Sequence, residues 1–481
     1  MNSAAAEPAP IDHRTRAALI AMSLAVFVIA NDITSLSVAL PQIERTFHTN
    51  VETVQWVMNA YTLVFGVLIV TGGRLSDSFG RRRTFFVGIT IFASFSALAA
   101  VAWSTGVLIG ARAVMGVGAA LIWPSVVGLI FALVPADRAG LAGGLLIGVS
   151  GLGNALGPMI GGLLTDQLSW RWILVLNIPI AALAVTFVRL YIRPDANAQS
   201  RERLDWPGVA TLSICLVALL VALDQASDWG WGDGRIIGLL TISVLALAAF
   251  VVTQRRAGLH ALIPRDIVSN RRFAAACLTI VLASGTFFVT MLYAPQYMEK
   301  ILGFTALAAG VSLLPLMLTF SLTAFGSGPL YNRLGPRPLL VGGVICMPLG
   351  VLALSAVSTT SPYVATVPGL VLIGIGTGVF FSSVTNAALT SLDPSRTGVG
   401  SGLTFMFQLV SGAVGVGIAT TVFTSVSRNH AVAQVGFVAG LHAGLRVTAA
   451  IAACGLVTVW WIVRPGSSSE APEPPEPALA Q

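Results

Sequence analysis

Charge is what this chain has least of. Only 10% of its 481 residues are charged, against roughly 25% in soluble globular domains, so an ordinary water-soluble fold is excluded. Lys300 is the only lysine, and every other basic residue is an arginine. Cysteine is scarce as well. Cys215, Cys277, Cys346 and Cys454 stand singly in apolar runs, with no Cys-x-x-Cys or Cys/His spacing, so neither a disulfide framework nor a metal site is implied. A Gly-x-Ser-Gly string, Gly148 to Gly151, raises an intramembrane serine protease. That chemistry needs a base, and His13, His48, His260, His430 and His442 all fall in tails, loops or near helix ends. No catalytic group and no cofactor is therefore expected. A cleavable signal is not visible either: the first sixteen residues are polar and the first apolar run is too long for a signal core, so the first helix is expected to be retained.

What the chain has instead is apolar length. It is 55% hydrophobic, and its mean hydropathy is +0.85. A helix crosses hydrocarbon with about 20 apolar residues. Counting such runs predicts an all-α integral membrane protein with fourteen spans, at 17–40, 54–73, 84–102, 107–133, 141–164, 172–192, 207–226, 236–254, 273–294, 306–328, 338–357, 363–386, 398–424 and 441–463. Basic residues outnumber acidic ones, 27 to 20. A nucleic-acid partner would explain that excess, but topology explains it better. With the N-terminus inside, most arginines collect in inner segments. The outer segments hold only Arg45, Arg171, Arg235, Lys300, Arg428 and Arg446, and Arg112 falls within a span. This positive-inside pattern places both termini in the cytoplasm and requires an even number of spans. The preference for Arg, Ala and Gly over Lys suits a GC-rich bacterial genome, and hence the bacterial plasma membrane. The lipid bilayer is the expected partner, and nucleic acid is not.

The most informative stretch is GGRLSDSFGRRR, Gly72 to Arg83, which closes one apolar run and opens the next. It reads as a short loop in which Gly73 and Gly80 permit a tight turn. Asp77 sits at a helix end, where it can pair with arginine or a helix dipole, and Arg81, Arg82 and Arg83 anchor the loop inside. A weaker copy, GPLYNRLGPRP, spans Gly328 to Pro338. Gly73, Leu75, Asp77, Gly80 and Arg82 align at one constant offset with Gly328, Leu330, Asn332, Gly335 and Arg337. Arg138, Gly140 and Gly144 likewise match Arg396, Gly398 and Gly402. Spans one to six therefore repeat as spans nine to fourteen, with two inserted between. The expected organisation is an N-terminal tail (1–16), a six-helix bundle (17–192), an inner linker (193–206) and two inserted helices (207–256). A cytoplasmic loop (257–272), a second six-helix bundle (273–463) and a disordered Pro/Ser/Glu-rich tail (464–481) follow.

The loop signature and the two six-helix halves with two central helices resemble the major facilitator superfamily, in particular its fourteen-helix drug:proton antiporter branch. The resemblance spans roughly Arg16 to Arg464. It implies the major facilitator fold, no enzymatic activity, and export of a small-molecule substrate driven by the proton gradient. Amphipathic drugs, antibiotics or secondary metabolites are the substrates it implies. A dedicated carrier of a single metabolite on the same fold is the alternative. A non-transporting receptor would need a soluble signalling domain, and none is visible.

Two charges within spans carry the expected coupling chemistry. Asp32 lies in the first span, where an ionised carboxylate is costly unless paired or wetted, and such acids mark proton pathways. Asp32, Thr34, Val38, Ala39, Leu40 and Pro41 fit the branch's first-helix motif. Asn31 and Ser37 depart from it, since Leu and Asn are usual there. Arg112 enters the fourth span, and Leu108, Arg112, Gly116 and Gly118 fit a family motif associated with proton transfer. By helical rise, Arg112 lies about 7 Å and Asp32 about 12 Å from their outer ends, so the two can share a depth if their helices are neighbours. Its counterpart in the second half is Leu370. In the fifth span Gly153, Gly157 and Gly161 recur every four residues and line one face for close packing, with Pro158 able to bend the helix. With Gly162, this GPMIGG segment resembles the motif of antiporters. The substrate cavity is expected between the halves. Its candidate lining is Asn31, Trp56, Asn59, Tyr61, Phe287, Phe288, Tyr293, Gln296, Asn386, Phe405 and Gln408. No acid is expected in helices nine to fourteen. Asp224, Asp228 and Asp233, beside Trp229 and Trp231, read as an interfacial outer loop.

Overall fold

The computed structural model describes residues 12–135, 138–193, 204–429 and 432–462. Among them, fourteen helices are long and apolar enough to cross a membrane. They are α1 (His13–Phe47), α2 (Thr53–Phe79), α3 (Arg81–Ala100), α4 (Thr105–Leu133), α5 (Ala139–Gln167), α6 (Arg171–Tyr191) and α7 (Trp206–Ala226). The remainder are α8 (Gly234–Ala257), α9 (Arg271–Lys300), α10 (Leu307–Leu334), α11 (Pro336–Leu354), α12 (Tyr363–Leu389), α13 (Pro394–Ser427) and α14 (Ala433–Val459). Hydrocarbon offers no partner for a free backbone N–H or C=O, and a helix satisfies these groups within each span. Polar caps set several starts: Asn50 accepts from the Thr53 N–H at 2.9 Å, and Ser104 accepts from the Val107 N–H at 3.3 Å.

The helices outrun the apolar runs that signal them. α1 continues through Pro41 to Phe47 and stops only at His48, whose φ of 50° turns the chain. Hydrogen bonding does not end where hydrophobicity does. The same effect carries α9 to Lys300, so Glu299 lies on it and corrects the expectation of no acid in the second half's helices. α9 is also broken at Ser284, between Arg271–Ala283 and Gly285–Lys300. Gly72 to Arg83 is hardly a loop at all. α2 runs to Phe79 and α3 starts at Arg81, leaving Gly80 alone between them with φ of 97°. Gly335 makes the equivalent turn between α10 and α11 with φ of 75°. Gly73 does not turn the chain, contrary to expectation. It sits inside α2. Most of the linker at 193–206, most of the N-terminal tail and the tail at 464–481 lie outside the described residues.

Packing reproduces the repeat. In the first half α2 and α3 pack on α4, while α1 packs on α5 and α6. In the second half α10 and α11 pack on α12, while α9 packs on α13 and α14. Each contact recurs eight helices later. Between the halves, α5 lies against α10 and α2 against α13, again a related pair. α7 and α8 pack on each other, and α7 lies along α13 and α2. The fold is thus two six-helix bundles with an inserted pair placed beside one of the two seams.

Both seams close backbone to backbone at the arginine-rich end. A Cβ on Gly73 would lie 2.3 Å from the Gly398 carbonyl oxygen, and one on Gly140 would lie 2.2 Å from that of Gly328. This close approach, not a turn, is what demands glycine at Gly73. Gly73→Leu should therefore wedge α2 from α13. In a background without the native cysteines, a Ser401→Cys reporter, buried on α13 between Gly398 and Gly402, which both abut α2, should react with a maleimide several-fold faster when Gly73→Leu is added. An unchanged rate would count against the seam as described.

Candidate functional site

Inside the first bundle, α1, α4, α6 and α3 converge on one polar cluster. Asp32 and Arg112 are fully buried and form an ion pair through Asp32 Oδ2 and Arg112 Nη1. The other carboxylate oxygen accepts from Asn177 Nδ2 at 2.8 Å, and Asn177 also reaches Ser96 Oγ at 3.1 Å. Ser96 in turn donates to the Leu174 carbonyl at 2.8 Å. Arg112 Nε donates to the Val57 carbonyl of α2 at 3.1 Å, and its guanidinium lies 4.3 Å from the ring centroid of Tyr61, also on α2. A planar cation over a ring face is a favourable arrangement, the more so when buried. So α1 and α4 are neighbours here, and both charges are held by groups from all sides. Arg112 Nη2, Asn177 Oδ1 and the Tyr61 hydroxyl are buried with no partner.

α5 fixes the position of α1. Cβ atoms on Gly157 and Gly161 would meet Thr34 Oγ1 at 1.9 Å and the Ser35 carbonyl oxygen at 2.1 Å. Gly153 abuts Ala30 in the same way, and Gly162 faces Leu307. Small residues let the two backbones touch, which turns the Asp32 flank of α1 toward α4 and α6.

At the arginine-rich end, Asp77 accepts from the N–H groups of Gly398 at 3.0 Å and Val399 at 2.9 Å, at the start of α13. The α-helical part of α13 begins at Thr397, so these N–H groups belong to its first turn, where such groups lack a carbonyl four residues back and favour a negative charge. Arg81 lies 3.7 Å from Asp77, donates to the Gly128 carbonyl at 2.8 Å and reaches the Pro394 carbonyl. Arg82 contacts the Arg189 carbonyl and the Phe86 ring instead. The second seam has the same geometry with neutral groups. Asn332 Oδ1 accepts from the Gly140 N–H at 3.0 Å, and Asn386 Oδ1 accepts from the Gly143 N–H at 3.1 Å.

Above this closed end the seams open into two cavities. One of about 280 Å³ lies between α2, α7, α9 and α13 and includes Trp56, Asn59, Phe288 and Asp224 in its lining. The other, about 360 Å³, is bounded by α1, α5, α9 and α10, with Thr34, Ser37, Asn154, Pro158 and Glu299 in its lining. Below them, Phe65, Trp123 and Phe405 stack across the halves at 4.8 to 6.4 Å. Only about 10 Å³ remains there, beside Gln408.

Several residues expected to line a cavity are placed elsewhere. Tyr61 faces Arg112 because it follows Trp56 and Asn59 around α2 onto the buried side. Asn31 is fully buried, and its amide has no partner. Tyr293 turns into the second bundle and reaches Thr420 Oγ1 at 2.9 Å. Phe287 stacks with Phe320 and Phe381, leaving Phe288 to the cavity. Gln296 accepts from Lys300 at 3.2 Å, and Asn386 belongs to the closed seam. Asp224, read as a loop acid, stands on a cavity wall. Asn177 and Ser96 are absent from the sequence expectations. A lone amide in the apolar run of α6 was the signal available for Asn177.

Comparison with known proteins places these features among transporters. The profile of the Major Facilitator Superfamily matches residues 22–416. Puromycin resistance protein pur8 of Streptomyces alboniger is 36% identical, over 85% of this chain and 82% of its own length. The tetracenomycin C resistance and export protein of Streptomyces glaucescens is 31% identical, over 83% and 74% respectively. Cephamycin export protein CmcT of Amycolatopsis lactamdurans is 31% identical, over 84% of each. Among solved structures, the human organic anion transporter MFSD10 (TETRAN) aligns with a TM-score of 0.66 and 14% identity, over 92% of this chain and 99% of that one. This last likeness concerns the fold alone.

The polar cluster makes a thermodynamic prediction. Arg112→Leu strands the Asp32 carboxylate in an apolar interior and should cost about 3–5 kcal/mol. Converting both partners, Asp32→Leu with Arg112→Leu, should recover most of that loss, since a buried pair is often replaceable by apolar groups. Thermal unfolding in detergent reads both. A single variant as stable as the parent would mean that the pair is not dry.

Proposed function

This chain belongs to the major facilitator superfamily, and on that premise we propose that it exports antibiotics or other amphipathic metabolites by proton antiport across a bacterial plasma membrane. The observation that carries the coupling is the buried Asp32–Arg112 pair. Within the pair the two charges compensate each other. A proton arriving on Asp32 removes the negative partner and leaves Arg112 with Val57 and Tyr61, both on α2. α2 is the lever in this reading. One of its faces touches the pair, another contributes Trp56 and Asn59 to a cavity, and its end carries Asp77. Protonation can therefore alter how α2 sits against α13. The closed arginine-rich end corresponds to the cytoplasmic gate, and the two cavities to the opposite, external approach. Rocking of the halves about the seams would expose the substrate to each side in turn. The substrate class is supported by relatives whose names cite puromycin, tetracenomycin C and cephamycin.

Reconstituted vesicles with an internal pH indicator test this reading. Adding puromycin or a related substrate should drive proton movement in the parent protein. Asp32→Asn should abolish that movement while substrate binding persists. Undiminished coupled proton flux in Asp32→Asn would remove Asp32 from the coupling site.

A further inference from the structure

We propose that a cavity at the arginine-rich end of α8 binds an anionic phospholipid of the surrounding leaflet, and that the bound lipid braces the closed end of the protein. This site lies apart from the two cavities between the halves and does not depend on the transport reading. The cavity, about 500 Å³, lies between the last turns of α8 and a short helix, Arg265–Ser269, that precedes α9. Its lining changes character along α8. Phe250 and Val251 are apolar, Gln254 and Arg255 follow one turn later, and the short helix adds Arg265 and Val268. α8 is the least buried of the fourteen spans, and Val244, Leu245 and Val251 on it are exposed, so this flank faces lipid. A ligand that matches the lining carries hydrocarbon toward the bilayer core and an anion toward its edge. A phospholipid has that order, and basic pockets at the ends of spanning helices suit anionic head groups. Two guanidiniums can hold one phosphate through paired N–H bonds. The volume falls among those of ligand pockets, roughly 300–1,000 Å³, and takes a head group with the start of an acyl chain.

Buried hydrogen bonds fix the walls. Gly258, with φ of 59°, turns the chain after α8. Asp205, buried at the start of α7, accepts from the Gly208 N–H at 2.9 Å, Gln254 Nε2 at 2.6 Å and the Leu262 N–H at 3.4 Å. Gln254 Oε1 accepts from the Ile263 N–H at 3.0 Å, and Arg265 Nη2 donates to the Arg255 carbonyl at 3.4 Å. The same segment reaches the closed end. Asp266 pairs with Arg396 of α13 at 3.3 Å, and Asn270 Nδ2 donates to the Ser391 carbonyl, just before α13, at 2.6 Å. α13 then presents Gly398 and Val399 to Asp77. A lipid that holds Arg265 steadies the adjoining Asp266–Arg396 pair, and with it the start of α13.

Titration of delipidated protein in detergent with dioleoyl phosphatidylglycerol, followed by native mass spectrometry, reads the binding. Dioleoyl phosphatidylcholine is the zwitterionic control and should bind more weakly to the parent. Arg255→Gln with Arg265→Gln should weaken phosphatidylglycerol binding roughly tenfold, the scale expected for losing two interfacial arginines. Arg256→Gln with Arg272→Gln removes the same charge outside the cavity and should leave the affinity near the parent. Equal affinity of the parent for the two lipids, or an equal loss in both double variants, overturns the site. Displacement of the lipid by an equimolar amount of glycerol phosphate overturns its assignment to a lipid, because a soluble phosphate would then suffice. The brace is read in nanodiscs with the Ser401→Cys reporter. Phosphatidylglycerol should slow its maleimide labelling several-fold, and should not do so when Arg255→Gln and Arg265→Gln are added. A labelling rate that ignores phosphatidylglycerol overturns the bracing role.

Discussion

A carboxylate in a membrane interior must have a partner, and much of this structure can be read as the means of giving Asp32 one. The partner, Arg112, comes from α4. Asn177 and Ser96 complete the shell from α6 and α3, and Val57 and Tyr61 hold the guanidinium from α2. Five of the six helices of the first bundle therefore meet at one charge pair. The sixth, α5, lies against α1 so closely that even a methyl group at Gly157 or Gly161 would collide. The rotation of α1 that points Asp32 inward is set by that contact.

The two halves share a geometry but not a charge distribution. At one seam the carboxylate of Asp77 accepts two N–H bonds from the start of α13. At the other, the amides of Asn332 and Asn386 bind the start of α5. Hydrogen bonds to an ionised acceptor are roughly twice as strong as neutral ones, so the α2–α13 seam carries the stronger clasp. The ion pair is likewise confined to the first half, where Arg112 stands opposite Leu370 in the repeat. α2 touches both charged features. A change in the charge of Asp32 has a short mechanical route to the clasp through α2, and among the described residues the second half offers no equivalent.

Much of this was legible in the sequence, for identifiable reasons. Apolar runs have a length fixed by the bilayer, so fourteen helices could be counted. The repeat could be read because turn glycines such as Gly80 and Gly335 keep their register. Asp32 and Arg112 stood out because charge is so rare in the spans. Helix rotation was less legible. Tyr61 and Tyr293 are amphipathic side chains that suit a cavity or a core equally, and only the packing of α2 and α9 decides which. Gly73 looked like a turn residue because sequence does not show that another backbone, that of Gly398, lies against it. Asp224 looked like a loop acid because the path of α7 along α2 and α13 is a tertiary fact. Asn177 was hidden for a related reason: one amide in an apolar helix acquires meaning only when its neighbour is known.

The central claim is that Asp32 itself gains and loses the proton. Infrared difference spectroscopy of the purified protein tests it most directly, by following the protonated-carboxyl band as substrate is added across a pH series. The account predicts a substrate-dependent change in that band that is absent from Asp32→Asn. A band that does not respond to substrate, or one that persists in Asp32→Asn, would contradict it.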